Sequence, residues 1–306
     1  MNKLQEELVE KIQKLKKEKN AIILAHNYVY GEVQDIADFV GDSLELSIKA
    51  KDVKEDIIVF CGVKFMAETA KILSPEKTVL LPVLEAGCPM ADMATSTEVL
   101  KMKEKYPNAV TVAYVNSTAD LKSVVDICCT SANAEQIVST IPKDKEIIFL
   151  PDMNLGANVA KKLDREIILW EGYCPTHMRL SVEMIEKKKK EFPNAVAIIH
   201  PECPPEMVEQ SDYSLSTGGM LKFAKETDAK EIIVCTELGI THRLAKENPE
   251  KMFIPVSEQA ICATMKMIEL KDVYNSLKEM KNEIILDNEI IEKAVLPIER
   301  MIKGKL

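Results

Sequence analysis

Three cysteines recur at nearly constant spacing along a chain of 306 residues: 86 positions separate Cys88 from Cys174, and 88 separate Cys174 from Cys262. Each follows an apolar run in a short loop-like stretch: Ala86-Gly-Cys88-Pro-Met, Gly172-Tyr-Cys174-Pro-Thr and Ala260-Ile-Cys262-Ala-Thr. If the three segments are related by a pseudo-threefold axis, equivalent positions near that axis meet, and three thiolates converge from distant sequence. Three thiolates complete neither a closed structural zinc site nor the four-cysteine set of an electron-transfer cluster. One coordination position stays open, and an open position invites substrate. The set therefore reads as ligands of one 4Fe-4S cluster per chain whose fourth iron acts as a Lewis acid, the chemistry of a metal-assisted lyase or dehydratase. The competing reading is three unrelated buried thiols in chance register, and it suits the other five cysteines better. Cys61 and Cys235 close apolar strands, while Cys128, Cys129 and Cys203 have no periodic counterpart. No C-x-x-C pair occurs.

A second periodic set carries acid, base and hydrogen-bonding groups. His26-Asn27-Tyr28, Tyr114-Val115-Asn116-Ser117 and His200-Pro201-Glu202 close three apolar runs at the same offsets. A lone histidine at a strand end is more often scaffold than catalyst, but three polar ends in repeat register favour function. A third triple is Ser43, Ser131 and Thr217, again 88 and 86 positions apart. Hydroxyls ahead of helical runs serve as N-caps, and helix N-termini also hold anions, so both roles are expected together. The alternative anion ligands are Arg165, Arg179 and Arg243. Walker, dinucleotide GxGxxG and G-x-S-x-G motifs are absent, so nucleotide and acyl-transfer chemistry lack support.

The elements that must position these residues form a threefold internal repeat. Asn20-Ala-Ile-Ile-Leu-Ala-His26 matches Asn108-Ala-Val-Thr-Val-Ala-Tyr114 and Asn194-Ala-Val-Ala-Ile-Ile-His200, and each follows a charged helical stretch. Two further strand patterns recur in register, 56–61 with 146–150 and 231–235, then 78–82 with 166–170 and 252–255. Continuous apolar runs separated by helical segments read as parallel strands covered on both faces. The expectation is an α/β fold of three pseudo-threefold αβα sandwich units, each with a three-stranded parallel sheet, and an active site at the central junction. The units span 1–88, 89–174 and 175–262; a helical tail, 263–306, carries helices over 263–281 and from Asp287 to about Met301, and packs back on one unit.

Composition narrows the partners. Forty basic against 49 acidic residues give a net charge of −9, which disfavours nucleic acid and anionic membranes. No apolar run approaches membrane-spanning length and the first twenty residues lack a signal-peptide core, so a cytoplasmic protein with reduced thiols is expected.

Together, Leu24-Ala-His-Asn-Tyr28, Gly41-Asp-Ser43, Tyr114-Val-Asn-Ser-Thr118, Thr130-Ser-Ala-Asn133, Pro151-Asp-x-Asn-Leu-Gly156, Cys174-Pro-x-His177, His200-Pro-Glu-Cys203, Ser216-Thr-Gly218 and Cys262 resemble the quinolinate synthase family over nearly the whole chain. The resemblance implies condensation of iminoaspartate with dihydroxyacetone phosphate to quinolinate, releasing phosphate and water, in NAD biosynthesis. It implies three αβα units around a three-cysteine 4Fe-4S cluster held by Cys88, Cys174 and Cys262. It places substrate on His26, Ser43, Tyr114, Val115, Asn116, Ser131, His200, Pro201, Glu202, Ser216 and Thr217. Proton transfers fall to Tyr28 and Glu202, with His26 and His200 beside them. An aspartate oxidase or dehydrogenase that makes iminoaspartate is the partner to expect in transient contact. The chain departs from some members in having no cysteine after Cys262, so it lacks a C-terminal C-x-x-C-x-x-C run. The alternatives are another 4Fe-4S dehydratase of small hydroxy acids and a non-catalytic iron–sulfur sensor, though −9 offers a sensor no basic output surface.

Overall fold

The computed structural model describes residues 3–306. The first unit runs α1 (Lys3–Glu18), β1 (Ala21–His26), α2 (Gly31–Ile36), β2 (Phe39–Gly41), α3 (Ser43–Asp52), β3 (Ile57–Cys61), α4 (Lys64–Leu73) and β4 (Thr78–Leu80). The second repeats this order as α5 (Ser96–Lys105), β5 (Val110–Tyr114), α6 (Ala119–Lys122), β6 (Ile127–Cys129), α7 (Ala134–Thr140), β7 (Ile147–Leu150), α8 (Met153–Leu163) and β8 (Ile168–Leu169). The third repeats it again as α9 (Val182–Glu191), β9 (Val196–Ile199), α10 (Pro205–Glu209), β10 (Tyr213–Ser214), α11 (Thr217–Glu226), β11 (Glu231–Cys235), α12 (Ile240–Glu247) and β12 (Met252–Pro255). The tail holds α13 (Leu270–Glu279) and α14 (Asn288–Lys303).

Each sheet is parallel and four-stranded, ordered β2-β1-β3-β4, β6-β5-β7-β8 and β10-β9-β11-β12. This corrects the three-stranded expectation: the extra edge strands β2, β6 and β10 are only two or three residues long, too short to show a period. They obey the repeat nonetheless. One aspartate ahead of each edge strand locks it to the central strand, its carboxylate accepting from a backbone N–H: Asp38 from Ile23 at 2.8 Å, Asp126 from Thr111 at 2.8 Å and Asp212 from Ala197 at 2.7 Å. A lysine from the preceding helix meets each carboxylate, Lys16 at 2.5 Å, Lys103 at 3.3 Å and Lys189 at 3.4 Å.

The cysteine loops are fixed by a second repeated contact. The backbone N–H of the third residue past β3, β7 and β11 donates to the carbonyl two residues before the cysteine: Lys64 to Ala86, Met153 to Gly172 and Leu238 to Ala260, all at 2.8 Å. Three equivalent loops are thereby hung from three equivalent strand ends.

The units meet along three seams. Between the first and second, α4 lies against α6. Between the third and first, α12 lies on α2, and Asp35 accepts from His242 at 3.0 Å and Lys246 at 2.6 Å. Between the second and third, α8 faces α10, and Asn158 Nδ2 donates to the carbonyls of Pro201 and Cys203 at 2.9 and 3.0 Å. Alternation along the third sheet divides its packing: Ile198, Ile232 and Val234 join the core shared with the other units, while Ala197, Ile199, Ile233 and Cys235 form a smaller core on the opposite face.

The tail differs from expectation in two respects. The expected helix over 263–281 is a 3₁₀ turn, Met265–Met267, followed by the shorter α13. The tail also serves two units, not one. Packing of α13 is against α1 and β3, and residues after it pair antiparallel with β4, Leu81 N–H donating to Asn282 O at 3.0 Å. In contrast, α14 straddles the first seam, touching α3 and α4 on one side and α6 and β6 on the other. Its apolar face buries Ala294, Ile298 and Met301, so one helix can cover both surfaces. Among the described residues, no helix is long and apolar enough to cross a membrane.

Candidate functional site

The strand ends and cysteine loops of all three units open into one cavity. Its wall has four levels, each with one residue from every unit: His26, Tyr114 and His200; Tyr28, Asn116 and Glu202; Ser43, Ser131 and Thr217; Cys88, Cys174 and Cys262. The first level closes the central strands and the second lies two residues on, in the turns that follow them. Ser43 and Thr217 occupy the first turns of α3 and α11, whose caps are Asp42 and Ser216. Ser131 sits in the turn before α7, whose cap position is Asn133. Asp42 and Ser216 cap with their own side chains and Asn133 makes no side-chain cap bond, so none of the triple is the N-cap of its helix, and all three line the cavity.

Three expected substrate residues are outside this wall. Val115 is packed in the core, Pro201 lines a separate crevice between α8 and α10, and Ser216 spends its hydroxyl capping Gly219 N–H at 3.1 Å. None of Arg165, Arg179 and Arg243 lines the cavity either. Arg165 donates instead to the carbonyls of Val138, Ile141, Pro142 and Lys145.

Hydrogen bonds assign protons within the site. His26 Nδ1 accepts from Tyr28 N–H at 3.2 Å, and His200 Nδ1 accepts from Glu202 N–H at 3.4 Å, so each neutral ring carries its proton on Nε2. Burial pushes His26 down to about 3 and His200 to about 4, so both are neutral donors near neutrality. His200 Nε2 lies 3.2 Å from Ser131 Oγ. Burial opposes a charge on Glu202, but His200 and His177, with hydrogen bonds from His177 and Tyr114, prevail and hold its carboxyl well below the usual range. Burial and the nearby Glu202 charge push the Tyr28 and Tyr114 phenols well above theirs. One wall of the site thus holds an anionic base, and the facing walls hold neutral acids.

The two halves are joined. Tyr28 OH lies 2.6 Å from Thr236 Oγ1, which lies 2.8 Å from His177 Nε2, and His177 Nδ1 is 2.8 Å from Glu202 Oε2. His177 Nδ1 also approaches Cys174 Sγ at 3.1 Å. Cys174, His177 and Glu202 offer ligand atoms within 4.8 Å of one another, a group able to hold a metal. Burial pushes Cys88 up to about 12 and Cys174 higher than usual, with neighbouring Cys262 acting on Cys88 and Cys88 on Cys174. Such thiols become thiolates when a cation joins them.

The sequence reading passed over Thr236 and Glu237 and gave His177 no role. Glu237 is fully buried, pairs with Lys266 at 2.9 Å and accepts from Cys262 N–H at 3.2 Å, bracing that cysteine loop. Two residues after each cysteine, Met90, Thr176 and Thr264 also keep the repeat spacing and line the cavity.

A profile described as "Quinolinate synthetase A protein" matches residues 10–303. The chain belongs to that family. It is 53% identical to the quinolinate synthase of Dehalococcoides mccartyi (strain ATCC BAA-2266) over 293 residues, 96% of this chain and 97% of the relative. It is 52% identical to that of Aquifex aeolicus over 303 residues, 97% of this chain and 94% of the relative. The enzyme of Thermodesulfovibrio yellowstonii is 50% identical over 295 residues. Members of the quinolinate synthetase A family are enzymes of NAD biosynthesis that act on small molecules, and a shared cavity at the junction of three α/β units suits such substrates.

Proposed function

We propose that this chain is a quinolinate synthase that forms quinolinate from iminoaspartate and dihydroxyacetone phosphate, releasing phosphate and water, with one 4Fe-4S cluster held by Cys88, Cys174 and Cys262. The observation that carries this is the convergence of twelve in-register residues, three of them free cysteines, on one cavity. The donor set fits the cluster: these three thiols alone among the eight cysteines keep partial exposure and line the cavity, while Cys61, Cys128, Cys129, Cys203 and Cys235 are fully buried. When bound, such a cluster supplies a Lewis-acidic iron that polarises the C–O bond lost as water.

The remaining work falls to side chains. Ser43, Ser131 and Thr217 hold carboxylate and phosphoryl oxygens without a lysine-rich motif, two of them beside helix N-termini. His26 and His200 donate from Nε2 to substrate oxygens. Glu202, ionised, takes protons from the condensing carbon and nitrogen, and Tyr28, neutral, returns one to the departing oxygen. An aspartate oxidase or dehydrogenase is the class of partner that supplies the imine. Eight free thiols fit a reducing cytoplasm.

The test is anaerobic purification followed by metal analysis and turnover. The expected result is a brown protein with about four irons and four sulfides per chain that makes quinolinate from the two substrates. A colourless protein with one tightly held zinc overturns the proposal.

A further inference from the structure

Arg243 lies outside the cavity, yet its contacts lead into it. From α12 of the third unit its guanidinium crosses the seam into the first, where Nη1 donates to Val40 O at 2.6 Å and to Asn27 Oδ1 at 3.1 Å, while Nε donates to Glu247 at 2.6 Å. Asn27 is fully buried between His26 and Tyr28. Its other amide atom, Nδ2, donates to Thr217 Oγ1 at 3.2 Å, back in the third unit.

The sense of this chain of bonds is fixed by chemistry. A guanidinium has donors and no acceptor, so the amide atom facing Arg243 must be the oxygen. The atom facing Thr217 is then the NH₂ group, which can only donate. Thr217 Oγ1 must accept, and its own proton is left to point elsewhere. Thr217 lines the cavity, so the remaining direction for that proton is toward a ligand. The positions equivalent to Asn27 are Val115 and Pro201, which carry no amide, so only this seam has the device.

We propose that Arg243 is a positioning residue that, through Asn27, sets Thr217 as a hydrogen-bond donor to an anionic oxygen of the ligand. The inference deepens the substrate-binding reading above and rests on Thr217 touching substrate. The shared ligand chemistry is an anionic oxygen, either a carboxylate of a dicarboxylate or a phosphoryl oxygen.

The experiment measures binding of quinolinate and, separately, of inorganic phosphate to cluster-loaded protein by anaerobic calorimetry. Thr217→Val is expected to weaken one of the two anions by about tenfold or more, the loss of one charge-assisted hydrogen bond, and that anion identifies the source of the oxygen. Arg243→Gln, which can present an oxygen and lets the amide of Asn27 turn over, should weaken the same anion severalfold, whereas Arg243→Lys, still only a donor, should stay within about twofold of the parent. In a Thr217→Val background Arg243→Gln should add no further loss, because its effect passes through that hydroxyl. Should Arg243→Gln not fold, Asn27→Ala interrupts the same relay without touching the Val40 and Glu247 contacts and should likewise lose its effect in the Thr217→Val background. Equal losses with and without Thr217 overturn the relay and make Arg243 a seam residue only, as does unchanged binding in Arg243→Gln. Unchanged binding of both anions in Thr217→Val overturns the reading of Thr217 itself, a distinct failure that removes the relay with it.

Discussion

Tyr28 and Glu202 sit in one cavity with opposite protonation, and each can be disarmed without changing shape. Tyr28→Phe and Glu202→Gln are expected to keep the fold and the iron content while turnover falls by about 100-fold or more, as measured by quinolinate formation. Wild-type rates in both would return them to scaffold. Loss of the Thr236 contact in Tyr28→Phe costs stability only about 1 kcal/mol, within reach of a denaturant titration. Cys88→Ala, Cys174→Ala and Cys262→Ala are each expected to abolish iron binding, whereas Cys61→Ala, Cys128→Ala and Cys235→Ala retain it, by iron counting on folded protein. What was legible at this scale was whatever recurs. The four cavity levels repeat at 88 and 86 positions or the reverse and could be read directly. His177 could not, because its counterparts are Ala91 and Met265, and Thr236 has Gly62 and Pro151. A repeat exposes shared positions and hides those that make one unit different from its siblings.

Strand and helix order was readable for the same reason, down to nine of the twelve strands. The edge strands escaped because two or three residues show no alternation; their signal is the aspartate before each, a polar residue whose carboxylate replaces a ladder partner. Asp126 is the most heavily engaged, accepting from Thr111 N–H at 2.8 Å, from Thr111 Oγ1 at 2.6 Å and from Lys103 at 3.3 Å. Burial opposes its charge, but the Thr111 bonds and Lys103 prevail and depress its pKa. A depressed carboxyl contributes stability that is present above its unfolded pKa and lost as pH falls through the folded one. The parent protein should therefore lose stability below about pH 4 more steeply than Asp126→Asn, in which that group no longer titrates. At neutral pH the same substitution should cost about 1–3 kcal/mol in denaturant unfolding, since one amide cannot accept all three bonds. A pH profile parallel to the parent's would show that the lock does not depend on charge.

At the scale of the molecule, α14 is the piece that no repeat foretells. Its own Ile298 and Met301 are fully buried, Asn133 Nδ2 donates to Met301 O at 2.9 Å, Arg300 donates to Asp126 O at 2.6 Å, and Lys51 pairs with Glu299 at 2.7 Å. Ile298→Ala is expected to destabilise the whole chain by about 2–5 kcal/mol, lowering the urea midpoint with an unchanged slope; a second, separate transition would show that the seam opens independently of the units. The threefold arrangement has one more consequence. Three identical subunits around an axis would be bound to present the same side chain three times at every height, and a substitution useful in one copy would be imposed on all. Joining the copies in a single polypeptide lifts that constraint. The height that holds Tyr28 and Glu202 also holds Asn116, so a phenol, a carboxylate and a neutral amide line one cavity from three sides. The cysteine height, in contrast, is uniform, as the proposed cluster would ask the same of each copy. Divergence within a covalent trimer is how a symmetric frame comes to surround an asymmetric reaction.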